Sequence, residues 1–251
     1  MAASFFLFFF ISVLLYFDVQ IRIRRVFGYS VARAYVDKNR ARIAKRLFDC
    51  ARFFGGLRLI LENKTSKPLP ERFVVLSNHQ SLIDIPALVA TVPTRQLRFV
   101  AKRELGRGVP LVSQMLRIQK HALINRKTNF SQTMNELKAF ATGTARIACP
   151  VIFPEGTRSR DGELGAFHTG AARVILERAQ MPVLTVAIDG GKNLSTIKDL
   201  LHLRYGLVYR VAFLSLRDTP ESKTEVISAI TDARGEILAQ LARWRGTTDA
   251  C

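Results

Sequence analysis

Short apolar segments alternate with helical patterns after Pro68 and Pro70, and this alternation restricts the possible folds more than any other feature of the chain. Strand-like apolar segments lie at residues 73–76, 97–101, 122–124, 151–153, 183–188 and 207–216. Helices are predicted at about residues 86–90, 111–118, 132–148, 169–179 and 221–244. Ser131 is the predicted N-cap of the third helix, and Gly235 is expected to weaken the last. Such alternation is typical of an α/β fold with one mostly parallel sheet flanked by helices.

The N-terminal segment, residues 1–65, differs in composition from the rest. Phe5–Phe17 is a run of 13 residues that is apolar except for Ser12, and Arg22, Arg24 and Arg25 follow it closely. As a helix the run is about 20 Å long, which is shorter than the roughly 30 Å hydrocarbon core of a bilayer. It has no basic n-region and no A-x-A cleavage site, which argues against a secretory signal.

The region Tyr29–Glu62 is predicted to be helical and combines arginines and lysines with bulky apolar residues. This combination suits an interfacial membrane anchor, and a core helix with a solvated basic face is the alternative. If the N-terminus enters a bilayer, the arginines beside it keep the rest of the chain on the cytoplasmic side. We therefore expect residues 1–65 to anchor the protein at the cytoplasmic face of the cell (inner) membrane, and residues 66–251 to form the α/β domain.

The net charge indicates what kind of partner the chain binds. The 251 residues are 48% hydrophobic and 23% charged, which fits one globular domain, and the formal net charge is +18. That charge predicts anionic partners such as membrane lipid, phosphorylated ligands or nucleic acid. Residues 95–127, with 9 basic residues and 1 acidic residue, hold a large part of the excess. The three cysteines lie far apart without metal-binding spacing, so a reducing compartment and no metal are expected.

His79 and Asp84 form the first candidate catalytic pair. On a continuous helix, side chains five residues apart point about 140° away from each other, so the two can meet only if the chain turns between them. The change from a strand to a helix that begins near Pro86 provides that turn. Asp84 would then orient the imidazole of His79, which takes a proton from an attacking hydroxyl. A structural histidine at a strand end is the alternative. A nucleophile elbow (G-x-S-x-G) and an H-E-x-x-H motif are both missing from the sequence, which argues against a serine hydrolase and a zinc site.

The second candidate segment is Phe153–Ser159, with the sequence Phe-Pro-Glu-Gly-Thr-Arg-Ser. Gly156 allows a tight turn after a strand, and the planar guanidinium of Arg158 suits a phosphate. Thr157 adds a hydroxyl, and Glu155 could hold an acceptor hydroxyl or fix the arginine. An ordinary Pro-Glu-Gly turn is the alternative interpretation.

Both segments follow predicted strands, and ligands of open α/β sheets bind at the carboxyl ends of the strands. Arg126 follows a third predicted strand and supplies another arginine at that edge. The two arginines would converge on one anion, although Arg126 taken alone is more often a surface charge.

These segments resemble the membrane-bound glycerolipid acyltransferases, and most closely the 1-acyl-sn-glycerol-3-phosphate acyltransferases. The matching blocks occur in family order and cover roughly residues 73–190. They are N-H-x-S-x-x-D at Asn78, His79, Ser81 and Asp84; Ile124-Asn125-Arg126; F-P-E-G-T-R-S at Phe153–Ser159; and a proline before an apolar strand at Pro182–Ile188. Lys102 with Glu104 and Leu105 also matches a K-x-E-L segment of the family.

The resemblance implies transfer of a fatty acyl group from acyl-CoA or acyl-acyl carrier protein to the sn-2 hydroxyl of lysophosphatidic acid, which gives phosphatidic acid. It implies no metal and no prosthetic group. His79 would be the general base and Asp84 its orienting partner. Substrate contacts are expected from Ser81, Lys102, Arg126, Glu155, Gly156, Thr157 and Arg158. The family also has an N-terminal pair of membrane-associated helices, which fits the expected anchor and an anionic membrane surface as a partner.

One residue departs from the family pattern. After the third block the family often has F-K-x-G, whereas this chain has His168 in place of the lysine. Since histidine is a weaker cation, the acceptor headgroup stays open. The alternatives are another lysophospholipid, glycerol 3-phosphate or the lyso-form of a lipid without phosphate. A non-enzymatic basic protein on membranes or nucleic acid is the remote alternative; with 5 Tyr, 1 Trp and no nucleic-acid motif, we expect no nucleic-acid partner.

Overall fold

A computed structural model describes residues 2–125, 129–192, 194, 199 and 205–246. Its strands are β1 Arg58–Asn63, β2 Val74–Ser77, β3 Leu97–Lys102, β4 Ala122–Ile124, β5 Cys149–Ile152, β6 Val183–Asp189 and β7 Val208–Arg217. Its helices are α1 Ala2–Val26, α2 Tyr29–Gly55, α3 Asp84–Thr91, α4 Val112–Ile118, α5 Phe130–Ala145, α6 Thr169–Ala179 and α7 Lys223–Gly246, with a 3₁₀ turn at Arg103–Gly106.

The strands that are described form one sheet in the order β1-β7-β6-β2-β5-β3-β4. Within the group β6-β2-β5-β3-β4, each strand is parallel to the next. At the other edge β7 runs antiparallel to β6, and β1 is parallel to β7. The predicted α/β fold with a mostly parallel sheet is therefore confirmed. Because β2 and β5 are parallel neighbours, their carboxyl ends lie side by side, and the segments that follow them leave the sheet there.

Helices cover both faces of this sheet, so its central strands are buried on two sides. On one face α2 and α3 contribute Phe48 and Leu88 to a core that includes Phe73 and Phe99. On the other face, α5, α6 and α7 pack apolar side chains against β2, β5 and β6. The histidine segment lies on the first face, because α3 packs there and directly follows this segment in the chain.

The predicted helix Tyr29–Glu62 is wrong at its C-terminal end. Helix α2 ends at Gly55, where Gly56 adopts a left-handed conformation and donates its N–H to carbonyls of the last turn. The chain then forms β1, which pairs with β7 in register from Arg58 to Asn63. The sheet thus begins before the boundary expected at residue 66.

The predicted N-cap of α5 is also displaced. The cap is Asn129, whose side-chain oxygen accepts a hydrogen bond from the N–H of Ser131 at 3.0 Å. Asn and Ser are both good N-caps, so the choice between them depends on where the loop enters the helix. The helix ends at Ala145, which is earlier than the predicted 148.

Helix α1 extends beyond the apolar run of Phe5–Phe17. It has 25 residues, and at 1.5 Å per residue it is about 37 Å long. The segment Phe5–Val26 is long and apolar enough to cross a membrane, judged by length and composition alone. The helix packs against α2 through Phe6, Phe17 and Ile21, while an apolar face opposite to them stays exposed. That face includes Phe5, Phe8, Phe9, Ile11, Leu15, Tyr16, Val19 and Ile23.

The turn after β6 requires a glycine, whereas the glycine in α7 can be replaced by a larger residue. Gly190 has a φ of 96°, and a Cβ atom there would lie 2.2 Å from the backbone oxygen of Val208. Gly235 lies in α7, and a Cβ there would meet no described atom within 4 Å. We expect Gly190→Ala to lower the free energy of unfolding by about 3 kcal/mol or more, and Gly235→Ala to raise it by about 0.5–1 kcal/mol. Urea unfolding of both variants tests this difference, and equal effects would contradict it.

Candidate active site

The histidine and the aspartate of the first segment are in contact. Strand β2 ends at Ser77, the chain turns through the next six residues, and α3 begins at Asp84. The Oδ2 atom of Asp84 lies 2.6 Å from Nδ1 of His79, and a carboxylate can only accept, so the ring donates this hydrogen bond. Asp84 is fully buried, while the His79 side chain is 16% exposed. The predicted turn therefore brings together a buried orienting group and an accessible imidazole.

The Asp84 carboxylate is held by three further donors. Oδ2 also accepts the backbone N–H groups of Gln80 at 2.7 Å and Ser81 at 2.9 Å. The second oxygen, Oδ1, accepts a hydrogen bond from the hydroxyl of Tyr209. Because four donors surround it, this buried carboxylate has one defined position and compensation for its charge.

Tyr209 is the residue of this cluster that the sequence analysis missed. It lies on β7 and is fully buried. Burial, and next the negative charge of Asp84, raise the pKa of Tyr209 well above its usual 10, so the phenol stays a hydrogen-bond donor. A buried tyrosine usually needs a partner for its hydroxyl, which was the available signal in this strand. The partner could not be read from the sequence because β7 is 125 residues away from Asp84.

The His79 ring is fixed by stacking as well as by its hydrogen bond. It lies on the ring of Phe153, with centroids 4.1 Å apart and planes 13° from parallel. Phe153 belongs to the second segment, so the two segments meet at the imidazole. Within the described residues, Nε2 of His79 makes no hydrogen bond.

Glu155 joins the two segments through the backbone. Its Oε1 accepts the N–H of His79 at 2.7 Å, and its Oε2 accepts the N–H of Gly165 at 2.9 Å. The N–H of Ser159 donates to the carbonyl of His79 at 2.8 Å. Glu155 was predicted to contact substrate, but both carboxylate oxygens bind backbone groups, which favours a positioning role. Gly156 has a φ of 68° and makes the tight turn that was predicted.

The burial of Glu155 leads to a pH-dependent stability. Desolvation raises the pKa of this carboxyl group above its usual 4.5, although the N–H groups of Gly165 and His79 oppose the shift. A raised folded-state pKa contributes stability below the unfolded pKa, and this contribution is lost as pH rises through the folded pKa. We therefore expect wild type to lose unfolding free energy relative to Glu155→Gln between about pH 4 and pH 7. Urea unfolding at both pH values measures this difference, and parallel pH dependences would contradict it.

The other residues that were predicted to contact substrate differ in their exposure and in their place in the fold. Thr157 is exposed and Arg158 is half-buried, both on the turn beside His79. Lys102 is exposed at the carboxyl end of β3. Ser81 is fully buried, and its hydroxyl donates to the carbonyl of Leu194 behind the site, which favours a positioning role. Arg126 lies outside the described residues. Substrate contact by any of these side chains stays a prediction.

Two further residues shape the site. Asn78 forms a two-way amide contact with Ile188 of β6, donating to its carbonyl and accepting its N–H, each at 2.8 Å. This contact fixes the end of β2 just before His79. His168, the residue that departs from the family pattern, is exposed at the N-terminus of α6. A Cβ at Gly156 would lie 3.6 Å from the His168 ring, so this ring borders the glycine turn.

The donor set of the site suits proton transfer and anion binding. Among the described residues no group of three or more His, Cys, Asp or Glu side chains could hold a metal ion. The site instead combines one imidazole–carboxylate pair, a glycine turn and a half-buried arginine. Such groups can accept a proton from an alcohol and bind a phosphate.

Comparisons with known proteins agree with this geometry. Part of the chain is 34% identical to a 1-acyl-sn-glycerol-3-phosphate acyltransferase of Helicobacter pylori over 162 residues, which cover 64% of this chain and 66% of that protein. It is 32% identical to the human 1-acyl-sn-glycerol-3-phosphate acyltransferase beta over 136 residues, which cover 54% of this chain and 48% of that protein. The chain thus matches about two thirds or less of the length of these relatives.

A solved structure extends the likeness to almost the whole fold. The crystal structure of the 1-acyl-sn-glycerophosphate (LPA) acyltransferase PlsC from Thermotoga maritima superposes with a TM-score of 0.69 and covers 94% of both chains. At 22% identity this likeness concerns the fold. The sequence model of the acyltransferase family matches residues 58–189, more than half of the chain, and includes both segments of the site. The chain therefore belongs to the acyltransferase family.

Proposed function

We propose that this protein transfers a fatty acyl group from a thioester, acyl-CoA or acyl-acyl carrier protein, to the sn-2 hydroxyl of lysophosphatidic acid, which gives phosphatidic acid. The observation that carries the proposal is the contact between His79 and the buried Asp84 beside the glycine turn. An imidazole held in this way serves to activate an alcohol. The names of the matched relatives support lysophosphatidic acid as the acceptor.

The chemistry follows from the contacts of the His79 ring. The acceptor hydroxyl donates its proton to Nε2 as its oxygen attacks the thioester carbonyl. Asp84 stabilises the imidazolium that forms and keeps the proton on Nδ1. When the tetrahedral intermediate collapses, the C–S bond breaks and the imidazolium returns the proton to the leaving thiolate. The products are phosphatidic acid and the free thiol, and no metal or prosthetic group takes part in these steps.

The phosphate of the acceptor is assigned to the turn that follows β5. Arg158 offers a planar pair of N–H donors, and Thr157 adds a hydroxyl beside it. The net charge of +18 also favours an anionic ligand. His168 borders this turn where the family often has lysine, and this observation favours testing a second acceptor class.

The experiment is an acceptor panel with the purified protein. Labelled oleoyl-CoA and oleoyl-acyl carrier protein are offered with lysophosphatidic acid, lysophosphatidylcholine, lysophosphatidylethanolamine or glycerol 3-phosphate. The expected product is phosphatidic acid, formed faster than any other. A higher rate with a different acceptor would keep the chemistry and reassign the substrate, and His168→Lys would then test whether that ring selects the headgroup. If no acceptor is acylated by either donor, the proposed function is wrong.

We also propose that the exposed apolar face of α1 lies in the membrane interface. The helix is tied to the domain along its length, because buried Asp18 accepts the N–H of Leu111 at 2.8 Å and Arg25 contacts Gln114. A helix fixed in this way presents one apolar side, which suits insertion parallel to the surface. We place this surface at the cytoplasmic face of the inner membrane, since basic residues lie next to it.

Removing two aromatic side chains from α1 should detach the protein from lipid. Phe8 is 65% exposed and Phe9 is 45% exposed on the apolar face. Since each buried phenylalanine contributes about 1.5–3 kcal/mol, we expect Phe8→Asp with Phe9→Asp to weaken binding at least about 100-fold. Sedimentation with vesicles of anionic phospholipid measures the binding. The matched control is Phe130→Asp, because Phe130 is 74% exposed on α5; an equal loss there would contradict the assignment.

A further inference from the structure

We propose that Tyr209 is a positioning residue of acyl transfer, whose hydroxyl holds the Asp84 carboxylate in the orientation that His79 requires. The proposal rests on the function proposed above. It concerns a residue of β7, which lies beyond the region 58–189 that the family model matches. None of the sequence blocks of the family includes it.

The two oxygens of Asp84 have separate donors. Oδ2 receives the imidazole N–H and two backbone N–H groups from the turn before α3. Oδ1 receives the hydroxyl of Tyr209, which comes from β7, two strands away from β2 in the sheet. The backbone donors fix one oxygen, but a carboxylate held at one oxygen can still rotate about its Cβ–Cγ bond. The Tyr209 hydroxyl fixes the second oxygen and so defines the plane of the carboxylate.

The surroundings of Tyr209 leave its hydroxyl little freedom. The residue is fully buried, and its ring packs edge-on against Phe48 with centroids 6.2 Å apart. A Cβ atom at Gly191 would lie 3.1 Å from the Tyr209 oxygen, so the backbone of the loop after β6 encloses the hydroxyl closely. The same loop is bound to the histidine segment, because the N–H of Gly191 donates to the side chain of Gln80 at 3.1 Å. The hydroxyl is thus built into the wall behind the catalytic pair.

Tyr209 gives up no proton in the reaction. Its phenol is buried beside a carboxylate, and both conditions disfavour the phenolate. It therefore remains a fixed donor through the cycle, like the backbone groups on Oδ2. When the imidazolium forms, the negative charge of Asp84 must stay aligned with Nδ1, and preorganised donors achieve this without rearrangement at that moment.

The test is Tyr209→Phe, which removes the hydroxyl and keeps the ring. We expect kcat to fall at least about fivefold, since preorganised donors of this kind contribute measurably to a rate. The KM values for donor and acceptor should change less than about twofold, because Tyr209 touches neither substrate. Tyr205→Phe is the matched control, since Tyr205 is 85% exposed in the turn before β7 and should keep its kcat. A smaller loss of kcat in Tyr209→Phe, with wild type active, would overturn the proposal.

A second measurement separates positioning from general damage to the fold. If Tyr209 acts through Asp84, Tyr209→Phe should cause little further loss of kcat in an Asp84→Asn background. The same fold-loss in both backgrounds would overturn the proposal, because a structural defect would reduce both equally. Circular dichroism gives the folded fraction of each variant, and kcat is expressed per folded molecule at a temperature where all are folded. Activity of the unsubstituted chain tests the proposed function separately from these ratios.

Discussion

Replacement of His79 by alanine is expected to lower kcat by about 100- to 10,000-fold, the range that general-base catalysis contributes. In the structure this ring joins the buried carboxylate of Asp84 to the open side of the site. Alanine leaves the acceptor hydroxyl without a base, and water in the vacated space would be a poor substitute. The measurement is the rate of phosphatidic acid formation from labelled oleoyl-CoA and lysophosphatidic acid at saturating concentrations.

The same variant should remain folded. The His79 ring is partly exposed and contributes to stability by stacking on Phe153. Such an aromatic pair adds about 0.5–1.5 kcal/mol to the free energy of unfolding. Its backbone contacts to Glu155 and Ser159 do not involve the ring. Thermal unfolding should therefore show a small decrease in melting temperature. A variant that stays folded and retains more than about a tenth of the wild-type kcat would contradict the role of His79 as base.

The sequence was sufficient to predict a mostly parallel sheet and the meeting of the two segments. Parallel strands present their carboxyl ends at one edge, so the residues after β2 and β5 had to lie near each other. The His79–Asp84 contact followed from the same reasoning, since only a strand-to-helix turn could join side chains five residues apart. These predictions depended on local patterns, which the sequence contains directly.

The features that were missed depend on distant parts of the chain. Strand β1 is mostly exposed, so it has no clear apolar pattern of its own and forms because β7 offers backbone groups to pair with. The partners of Glu155 are backbone N–H groups, which carry no sequence signal. The contact between the Tyr209 hydroxyl and Asp84 joins residues 125 positions apart, so no local pattern indicates it. Tertiary pairing decided each of these positions.

Asp84→Asn is expected to reduce kcat by about 1,000- to 10,000-fold, as in other acid–histidine pairs. The amide can keep the size of the side chain but has one acceptor oxygen, whereas the carboxylate accepts four hydrogen bonds. If the amide oxygen takes the place of Oδ2, its NH₂ group faces the Tyr209 hydroxyl. If it takes the place of Oδ1, the NH₂ group faces three N–H donors and the imidazole loses its acceptor.

Either orientation removes the negative charge that stabilises the imidazolium, so the rate should fall even where the fold survives. The buried mismatch should also lower the free energy of unfolding by about 1–3 kcal/mol. Asp218→Asn is the matched control, because the Asp218 side chain is 92% exposed and pairs only with exposed Lys67 in the described structure. That variant should keep wild-type kcat and stability. If Asp84→Asn retains wild-type kcat with a normal melting temperature, His79 does not need a charged partner, and the imidazole–carboxylate pair would be structural instead of catalytic.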